Sequence, residues 1–110
     1  MTMKPMQEPS FLILTALASG PKHGYAVLRD VEALSDGRVT LRPGTLYTAL
    51  DRLTDERMVE VDREEVTDGR LRRYYKITGA GATRLADEAE RLRHNASAAV
   101  RHLKLGGLGA

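Results

Sequence analysis

The chain has 110 residues, which is enough for one compact domain and too few for two independent ones. Hydrophobic residues make up 42% and charged residues 29%, which argues against a wholly disordered chain, and a net charge of +2 does not by itself indicate a nucleic-acid partner. The absence of cysteine excludes disulfides and thiolate metal sites, and no apolar run approaches the ~20 residues of a membrane span, so we expect a soluble, cytoplasmic protein.

Two helices are predicted in the first third of the chain, after a flexible segment over residues 1–8. An apolar run from Phe11 to Ala18 follows Pro9 and ends before Gly20, which indicates a mostly buried first helix. The second helix is predicted to be amphipathic, because apolar residues recur along it in steps of three. Its expected buried side carries Tyr25, Leu28, Val31 and Leu34. A short edge strand is expected at residues 39–41.

A third helix is predicted to begin at Pro43, since proline is favoured in a first helical turn. Its apolar positions lie on one side, and its polar positions form an outward face with hydrogen-bonding groups. The core side comprises Leu46, Ala49, Leu50 and Leu53, and the outward face comprises Thr45, Thr48, Asp51 and Arg52, with Tyr47 at one flank.

The next segment predicts an antiparallel hairpin. Two stretches of alternating apolar and polar residues, one around 58–62 and one over 71–77, flank the pair Asp68-Gly69, which accepts the positive φ of a tight turn. Basic residues cluster on the second strand and acidic residues on the first. The basic cluster, Arg70, Arg72, Arg73 and Lys76, is a candidate phosphate contact, or equally a solvated strand face with salt bridges to its acidic neighbours.

A long fourth helix is predicted over residues 79–105. Apolar residues follow one another along it at spacings of three and four, as in a heptad seam, and the helix is too long for the domain to cover. We therefore expect it to pack against a second copy. The predicted dimerisation residues are Leu85, Ala89, Leu92, Ala96, Ala99 and Leu103. The glycine-rich tail, residues 106–110, is expected to be flexible.

This order of elements predicts a mainly α fold with a small β-hairpin: a winged helix-turn-helix over residues 9–78 and a C-terminal dimerisation helix over residues 79–105. In such a fold the third helix enters the major groove of DNA and its first turn meets phosphate. The residues expected to contact double-stranded DNA are Gly44, Thr45, Tyr47, Thr48 and Arg52 on the helix, and Arg70 and Arg72 on the wing. Each has a simpler alternative: Thr45 as a helix cap, Tyr47 as a packing residue, and Arg52 as a partner of Asp55 or Glu56.

Three motifs resemble the PadR family of bacterial transcriptional regulators. They are His23-Gly24-Tyr25, Pro43-Gly44-Thr45-Leu46-Tyr47, and residues 72–81 at the end of the wing, within a similar region from Ser10 to Leu92. The resemblance implies a repressor that dimerises through its terminal helix and whose DNA affinity is lowered by a small aromatic or drug-like ligand near the dimer interface. It also implies that Tyr25 packs or contacts DNA backbone near the third helix.

The sequence departs from the family pattern at two positions. Thr48 stands where such sequences usually have proline, and Arg57 stands where a glycine normally ends the third helix. The chain also has no tryptophan, so an aromatic sandwich for a flat ligand is not expected.

The sequence also bears on two other functional classes. An enzyme or a metal site is not expected, because His23, His94 and His102 are dispersed without acidic partners at ligand spacing, and no cofactor motif is present. The alternative function is a winged-helix module for protein–protein interaction without DNA binding.

Overall fold

The computed structural model describes residues 4–108, in which four helices surround one three-stranded antiparallel sheet of order β1-β3-β2. The helices are α1 (Glu8–Ala18), α2 (Gly24–Leu34), α3 (Pro43–Asp55) and α4 (Gly79–Leu105), and the strands are β1 (Lys22–His23), β2 (Val59–Thr67) and β3 (Arg70–Ile77). The mainly α fold with a β-hairpin wing is therefore confirmed.

The core lies between α1, α2, α3 and the base of the wing. Helix α1 is buried on most sides, as its apolar composition predicts. The side chains that are buried almost completely are Ile13, Leu14, Leu17, Val27, Val31, Leu46, Leu50, Leu53 and Val59. Tyr75 of β3 is buried against the same cluster, so the wing and the helices share one core.

The buried face of α2 differs from the predicted one. Gly24, Val27 and Val31 are buried, whereas Tyr25 and Leu34 are exposed. Residues nine apart in an α-helix with 3.6 residues per turn point in nearly opposite directions, so Tyr25 and Leu34 cannot share a face. The expected stripe in steps of three was therefore wrong at both ends.

The third strand of the sheet is Lys22–His23, and not the predicted edge strand at residues 39–41, which has no strand structure. Lys22 lies opposite Tyr75 and His23 opposite Tyr74. Val39 instead packs against the core, with its backbone N–H donating to Ser35 Oγ at 2.9 Å. Val39 is apolar because it covers the core. In the sequence, such a residue cannot be distinguished from an apolar residue of a short strand.

The wing turns at the predicted pair. Asp68 and Gly69 have φ values of 52° and 73°, the left-handed conformation that a two-residue hairpin turn needs. Strand β2 also contains a register shift between Val61 and Arg63, which bends the hairpin.

The residue that terminates helix α3 is an arginine in the left-handed conformation that usually requires glycine. Arg57 has a φ of 63°, and the N–H of Met58 donates back to the carbonyl of Leu53 at 2.9 Å. This arrangement is the usual helix stop with a left-handed residue. Thr78 Oγ1 donates to the carbonyl of Arg57 at 2.7 Å, which ties the end of α3 to the start of α4.

Helix α4 begins tightly packed and ends in solvent. The hydroxyl of Thr78 accepts from the N–H of Gly81 at 2.9 Å, and a Cβ on Gly81 would collide with the carbonyl oxygen of Met58. Leu85 packs against the core, but the helix continues to Leu105 and gives the molecule a long axis of 60 Å.

Residues 4–7, part of the segment expected to be flexible, lie along α4. Glu88 is almost fully buried there and accepts from the backbone N–H of Met6 at 2.9 Å. Arg91 and Arg84 donate to the same carboxylate, at 2.6 Å and 3.2 Å. These contacts, that of Arg91 foremost, lower the pKa of Glu88 to about 2, even though burial opposes the shift.

Both ends of the chain extend past the described residues. Residues 1–3, in the first predicted flexible segment, lie outside them, as do residues 109 and 110 of the predicted flexible tail. Within the described part of that tail, Leu108 N–H donates to the carbonyl of Leu103 at 2.8 Å.

Candidate nucleic-acid interface

The N-terminal half of α3 is open to solvent on its outer side. Gly44, Thr45 and Thr48 are exposed there, and the residue that precedes the helix, Arg42, makes no side-chain cap. No heavy atom outside the helix and its neighbouring residues lies within 4 Å of the position of a Cβ on Gly44. The first turn of α3 thus presents its positive dipole end without steric cover.

A depression lies on each side of this exposed half of α3. The depression facing the hairpin, called here the wing depression, has four of the predicted DNA-contacting residues in its wall: Tyr25, Tyr47, Arg70 and Arg72. The depression facing α1, called here the α1 depression, has the other four: Gly44, Thr45, Thr48 and Arg52. The structure therefore places the eight residues in the walls of two separate depressions, four in each, and residues of α3 line both.

Tyr47 has a packing role as well as an exposed surface. A Cβ on Gly24 would lie only 2.8 Å from Tyr47 Cζ, so the Tyr47 ring occupies the space that a side chain on Gly24 would need. The side chain is nevertheless 43% exposed. Tyr47 thus joins α3 to the start of α2 and still offers one edge to a ligand in the wing depression.

Arg52 is already engaged by the protein. Its guanidinium donates to Glu56 Oε1 at 2.7 Å and to Ser10 Oγ at 2.5 Å, so it points along α3 and towards α1. The pairing with Glu56 is one of the simpler alternatives that the sequence left open. About half of the Arg52 side chain remains exposed, which leaves it within reach of a partner on the surface.

The charges of the wing are unevenly paired. Arg73 forms an ion pair with Glu64 at 3.7 Å, and Lys76 lies 3.5 Å from Glu60. The prediction of salt bridges to the acidic strand therefore holds for these two. Among the described residues, neither Arg70 nor Arg72 forms an ion pair with a carboxylate, so these two keep their positive charge available.

His23 connects the wing to α2 inside the wing depression. Arg72 Nη1 donates to His23 Nε2 at 3.0 Å, and the ring meets Tyr74 edge-on with centroids 5.4 Å apart. Burial, with the charges of Arg72 and Arg29, lowers the pKa of His23 below 6.5, so the ring is neutral at pH 7. The N–H of Ala26 faces the other ring nitrogen, Nδ1, at 3.4 Å. A neutral imidazole accepts at only one of its two nitrogens, so the tautomer decides whether Arg72 or Ala26 is the donor.

Several residues that line the two depressions were not among the predicted contacts, and two of them, Arg42 and His23, carry groups suited to binding DNA. Arg42 lines the α1 depression next to the first turn of α3, and His23 lines the wing depression. Arg42 could have been found from its place immediately before the helix-opening proline. The partnership of His23 with Arg72 joins residues 49 positions apart, and no local pattern signals it.

The predicted dimerisation residues lie along one face of α4. Leu85 is partly buried against the core, and the others are exposed: Ala89, Leu92, Ala96, Ala99 and Leu103. Leu92 is 42% and Leu103 46% exposed. The described residues thus leave an apolar stripe uncovered over the outer part of the helix.

Other kinds of site find no support in the described part of the chain. Residues 4–108 contain no group of three or more histidine and acidic side chains that could hold a metal ion. Across the same residues, no helix combines the length and apolar character needed to cross a membrane.

Sequence comparison identifies the family. A profile of the PadR-like family of transcriptional regulators matches residues 13–87. The transcriptional regulator Rv3488 of Mycobacterium tuberculosis is 35% identical over 80 residues, which cover 73% of this chain and 71% of that protein. An uncharacterised 37.1 kDa protein of transposon TN4556 from Streptomyces fradiae is 42% identical over 82 residues, 74% of this chain, but the match spans only 22% of that protein.

Solved structures agree on the fold. A PadR family regulator from Clostridium difficile superposes with a TM-score of 0.74 at 21% identity, covering 88% of this chain and 99% of that one. Bacillus subtilis PadR, solved in complex with operator DNA, superposes with a TM-score of 0.66 at 22% identity, covering 74% of this chain and 46% of that one. Together with the profile match, these results show that the chain belongs to the PadR-like family of transcriptional regulators.

Proposed function

We propose that this protein is a sequence-specific DNA-binding repressor that acts as a homodimer on a roughly palindromic operator. The observation that carries the proposal is the arrangement of one exposed helix front, α3, between two depressions whose walls hold all eight predicted contact residues. A helix of this size fits the major groove, which is about 12 Å wide.

Some of the proposed contact residues position the protein on DNA phosphates, and others recognise bases. The first turn of α3 is suited to a phosphate, because Gly44 leaves its backbone accessible and Thr45 adds a hydroxyl. Thr48 and Arg52, one turn apart, are proposed to read base edges. Arg70 and Arg72 on the wing, which have no carboxylate partner among the described residues, are proposed to contact the neighbouring backbone.

The Bacillus subtilis PadR complex supports this proposal, since a protein with the same fold was solved on operator DNA. Its TM-score of 0.66 supports the shared fold, and at 22% sequence identity the likeness carries no residue-by-residue assignment. The assignment here rests on the exposure and charge of this chain's own side chains.

The dimer is proposed to form along the uncovered stripe of α4. Alanine and leucine at spacings of three and four suit close packing of two helices. A two-fold axis between them would present two α3 fronts to half-sites about 34 Å apart, or a multiple of that distance. This symmetry is the reason for expecting a palindromic operator.

The proposal also includes release of the protein from DNA by a small aromatic or drug-like ligand. This part rests on the family resemblance. A shallow groove on α4 near the stripe is lined by Ala96, Ser97, Val100, Arg101 and Lys104. Because all of its walls come from one helix, a ligand would be enclosed there only if a second copy covered it.

The proposal is tested by selecting bound DNA from a random duplex pool at defined salt. We expect a two-fold symmetric consensus whose affinity falls steeply with salt, because neutralised phosphates release counterions. A winged-helix module for protein–protein interaction would instead enrich no sequence. Failure to enrich any duplex, together with a monomer in sedimentation at micromolar concentration, would overturn the proposal.

A further inference from the structure

The tip of the wing carries two large apolar side chains that the protein does not cover. Val66 on β2 and Leu71 on β3 lie directly opposite each other in the hairpin register, one pair before the turn. They are 73% and 64% exposed. Strand positions this open to water are usually polar, and valine and leucine there add no core packing to the fold.

These two side chains lie on the face of the wing that looks towards α3. Side chains alternate along a strand, so Leu71 shares its face with Arg73 and with buried Tyr75. Leu71 also lines the wing depression beside Tyr47, and it lines a second depression together with Asp51. The apolar pair is therefore continuous with the surface proposed to bind DNA.

The surroundings of the pair are cationic. Arg70 and Arg72 precede and follow Leu71 in β3, and although alternation turns their side chains to the other face of the strand, all three residues line the wing depression. Neither arginine is paired with a carboxylate among the described residues. The acidic neighbours on β2 are neutralised locally, Glu64 by Arg73 and Glu65 by Arg63. Exposed apolar side chains next to guanidinium groups that have no carboxylate partner are complementary to a deoxyribose next to its phosphates.

We propose that Leu71 and Val66 pack against the deoxyribose rings of bound DNA, at the edge of the groove next to the one that α3 enters. The inference rests on the proposed function and adds an apolar, charge-independent contact to it. A protein partner fits less well, because two side chains supply only a small part of the ~1,200 Å² that a stable protein interface buries. The chemistry required of the partner is a sugar-phosphate backbone.

The test compares the salt dependence of variants on the selected duplex. Leu71→Ala and Val66→Ala should each weaken binding by about 3- to 10-fold at every salt concentration, as expected for lost apolar contact. The slope of log K against log salt should stay unchanged, because no phosphate contact is lost. Arg70→Ala should instead reduce that slope by about one. Leu108→Ala removes an even more exposed leucine, beyond the end of α4, and should change neither quantity.

The failures are distinguishable. No salt-sensitive DNA binding by the unaltered protein would overturn the proposed function and, with it, this inference. Normal binding by the unaltered protein and equal affinity for Leu71→Ala would overturn the inference alone, as would a changed salt slope. If Leu71→Ala melts at a lower temperature, Leu71→Thr keeps a strand-forming residue and must show the same loss. A loss of self-association in either variant, with DNA affinity retained, would assign the pair to a protein contact and overturn the inference.

Discussion

The phenol ring of Tyr47 fills the space above Gly24 that any larger residue would need. A Cβ on Gly24 would lie 2.8 Å from Tyr47 Cζ and 3.2 Å from Cε1, and Gly24 itself is buried. Tyr47 thus adds a close contact between α3 and the start of α2 to the packing of the buried leucines of α3, and this contact requires that Gly24 have no side chain.

Gly24→Ala is expected to destabilise the fold by ~1–3 kcal/mol, the usual cost of overpacking, because the ring must move. In the double variant with Tyr47→Ala the added methyl group has room, so the two effects should be less than additive. Urea denaturation of the four proteins measures this coupling. Gly44→Ala is the matched control: its Cβ meets nothing within 4 Å, so stability should be unchanged or slightly raised. Additive losses would contradict the contact.

The boundaries of the helices and the wing follow from local signals, and the sequence predicts them well. Pro43 opens α3, Asp68-Gly69 forms the turn, and Thr78 caps α4, because each acts on its own backbone within a few residues. The fold class and the contact surface follow from these boundaries. The eight predicted contact residues line the two depressions beside α3, because α2, α3 and the wing are neighbouring elements.

What the sequence does not predict depends on partners far away in the chain. Gly24 is buried because Tyr47 covers it, and nothing near Gly24 indicates that. Lys22–His23 is a strand only because β3 is beside it. Glu88 resembles any exposed helical glutamate until Met6 and the two arginines surround it. Non-local contacts of this kind leave no periodic pattern.

Arg57→Gly should stabilise the protein by ~0.5–1 kcal/mol. At a φ of 63° a side chain carries a steric cost that glycine avoids, although glycine also has more entropy when unfolded. Thermal and urea denaturation measure the gain. Arg57→Ala keeps the Cβ and is the matched control, expected to show no such gain. Equal stability of the two variants would mean that removing the arginine side chain, and not relief of the backbone, decides the outcome.

Glu88→Gln should destabilise the protein by ~1–3 kcal/mol at pH 7, because it removes the charge that Arg91, Arg84 and the Met6 N–H surround. Folding lowers the pKa of Glu88 from 4.5 to about 2. The stabilisation is therefore fully present above pH 4.5 and is lost as the pH falls towards 2. Urea denaturation at pH 7, 4 and 3 should show the difference between the two proteins shrinking.

Glu90→Gln supplies the comparison for Glu88. Glu90 pairs with Arg93, but both side chains are more than 60% exposed, so the change should leave the free energy of unfolding almost unaltered. A difference between Glu88→Gln and the unaltered protein that stays constant from pH 7 to pH 3 would show that Glu88 is not ionised in the way described.

Replacing Leu92 and Leu103 together by aspartate should give monomers with little affinity for the operator, because charges would enter the proposed seam of α4. Sedimentation gives the mass, and gel shift gives the affinity. Leu105→Asp adds a charge on the same helix but away from the stripe, and it should remain dimeric. An unchanged dimer in the double variant would show that another surface joins the copies.

Arg52→Ala and Arg72→Ala are predicted to weaken DNA binding in different ways. Arg52→Ala should relax sequence preference by ~1–3 kcal/mol at one position of the site, because arginine reads the acceptors of guanine. Arg72→Ala should weaken all sequences about equally and lower the salt slope by about one, as expected for a phosphate contact. Gel-shift titrations against matched and scrambled duplexes separate the two outcomes.

The bonds of Arg52 to Glu56 and Ser10 decide how its result is interpreted. Base reading requires the guanidinium to leave Glu56 Oε1, now 2.7 Å away, so Glu56→Gln should release it and raise affinity for the matched site more than for scrambled DNA. Arg52→Ala also leaves the buried Ser10 hydroxyl without this donor, and its stability must be measured beside its binding. Equal losses on all duplexes for Arg52→Ala, with no effect of Glu56→Gln, would make Arg52 a structural tie between α1 and α3, and base reading would then depend on Thr48 and its neighbours.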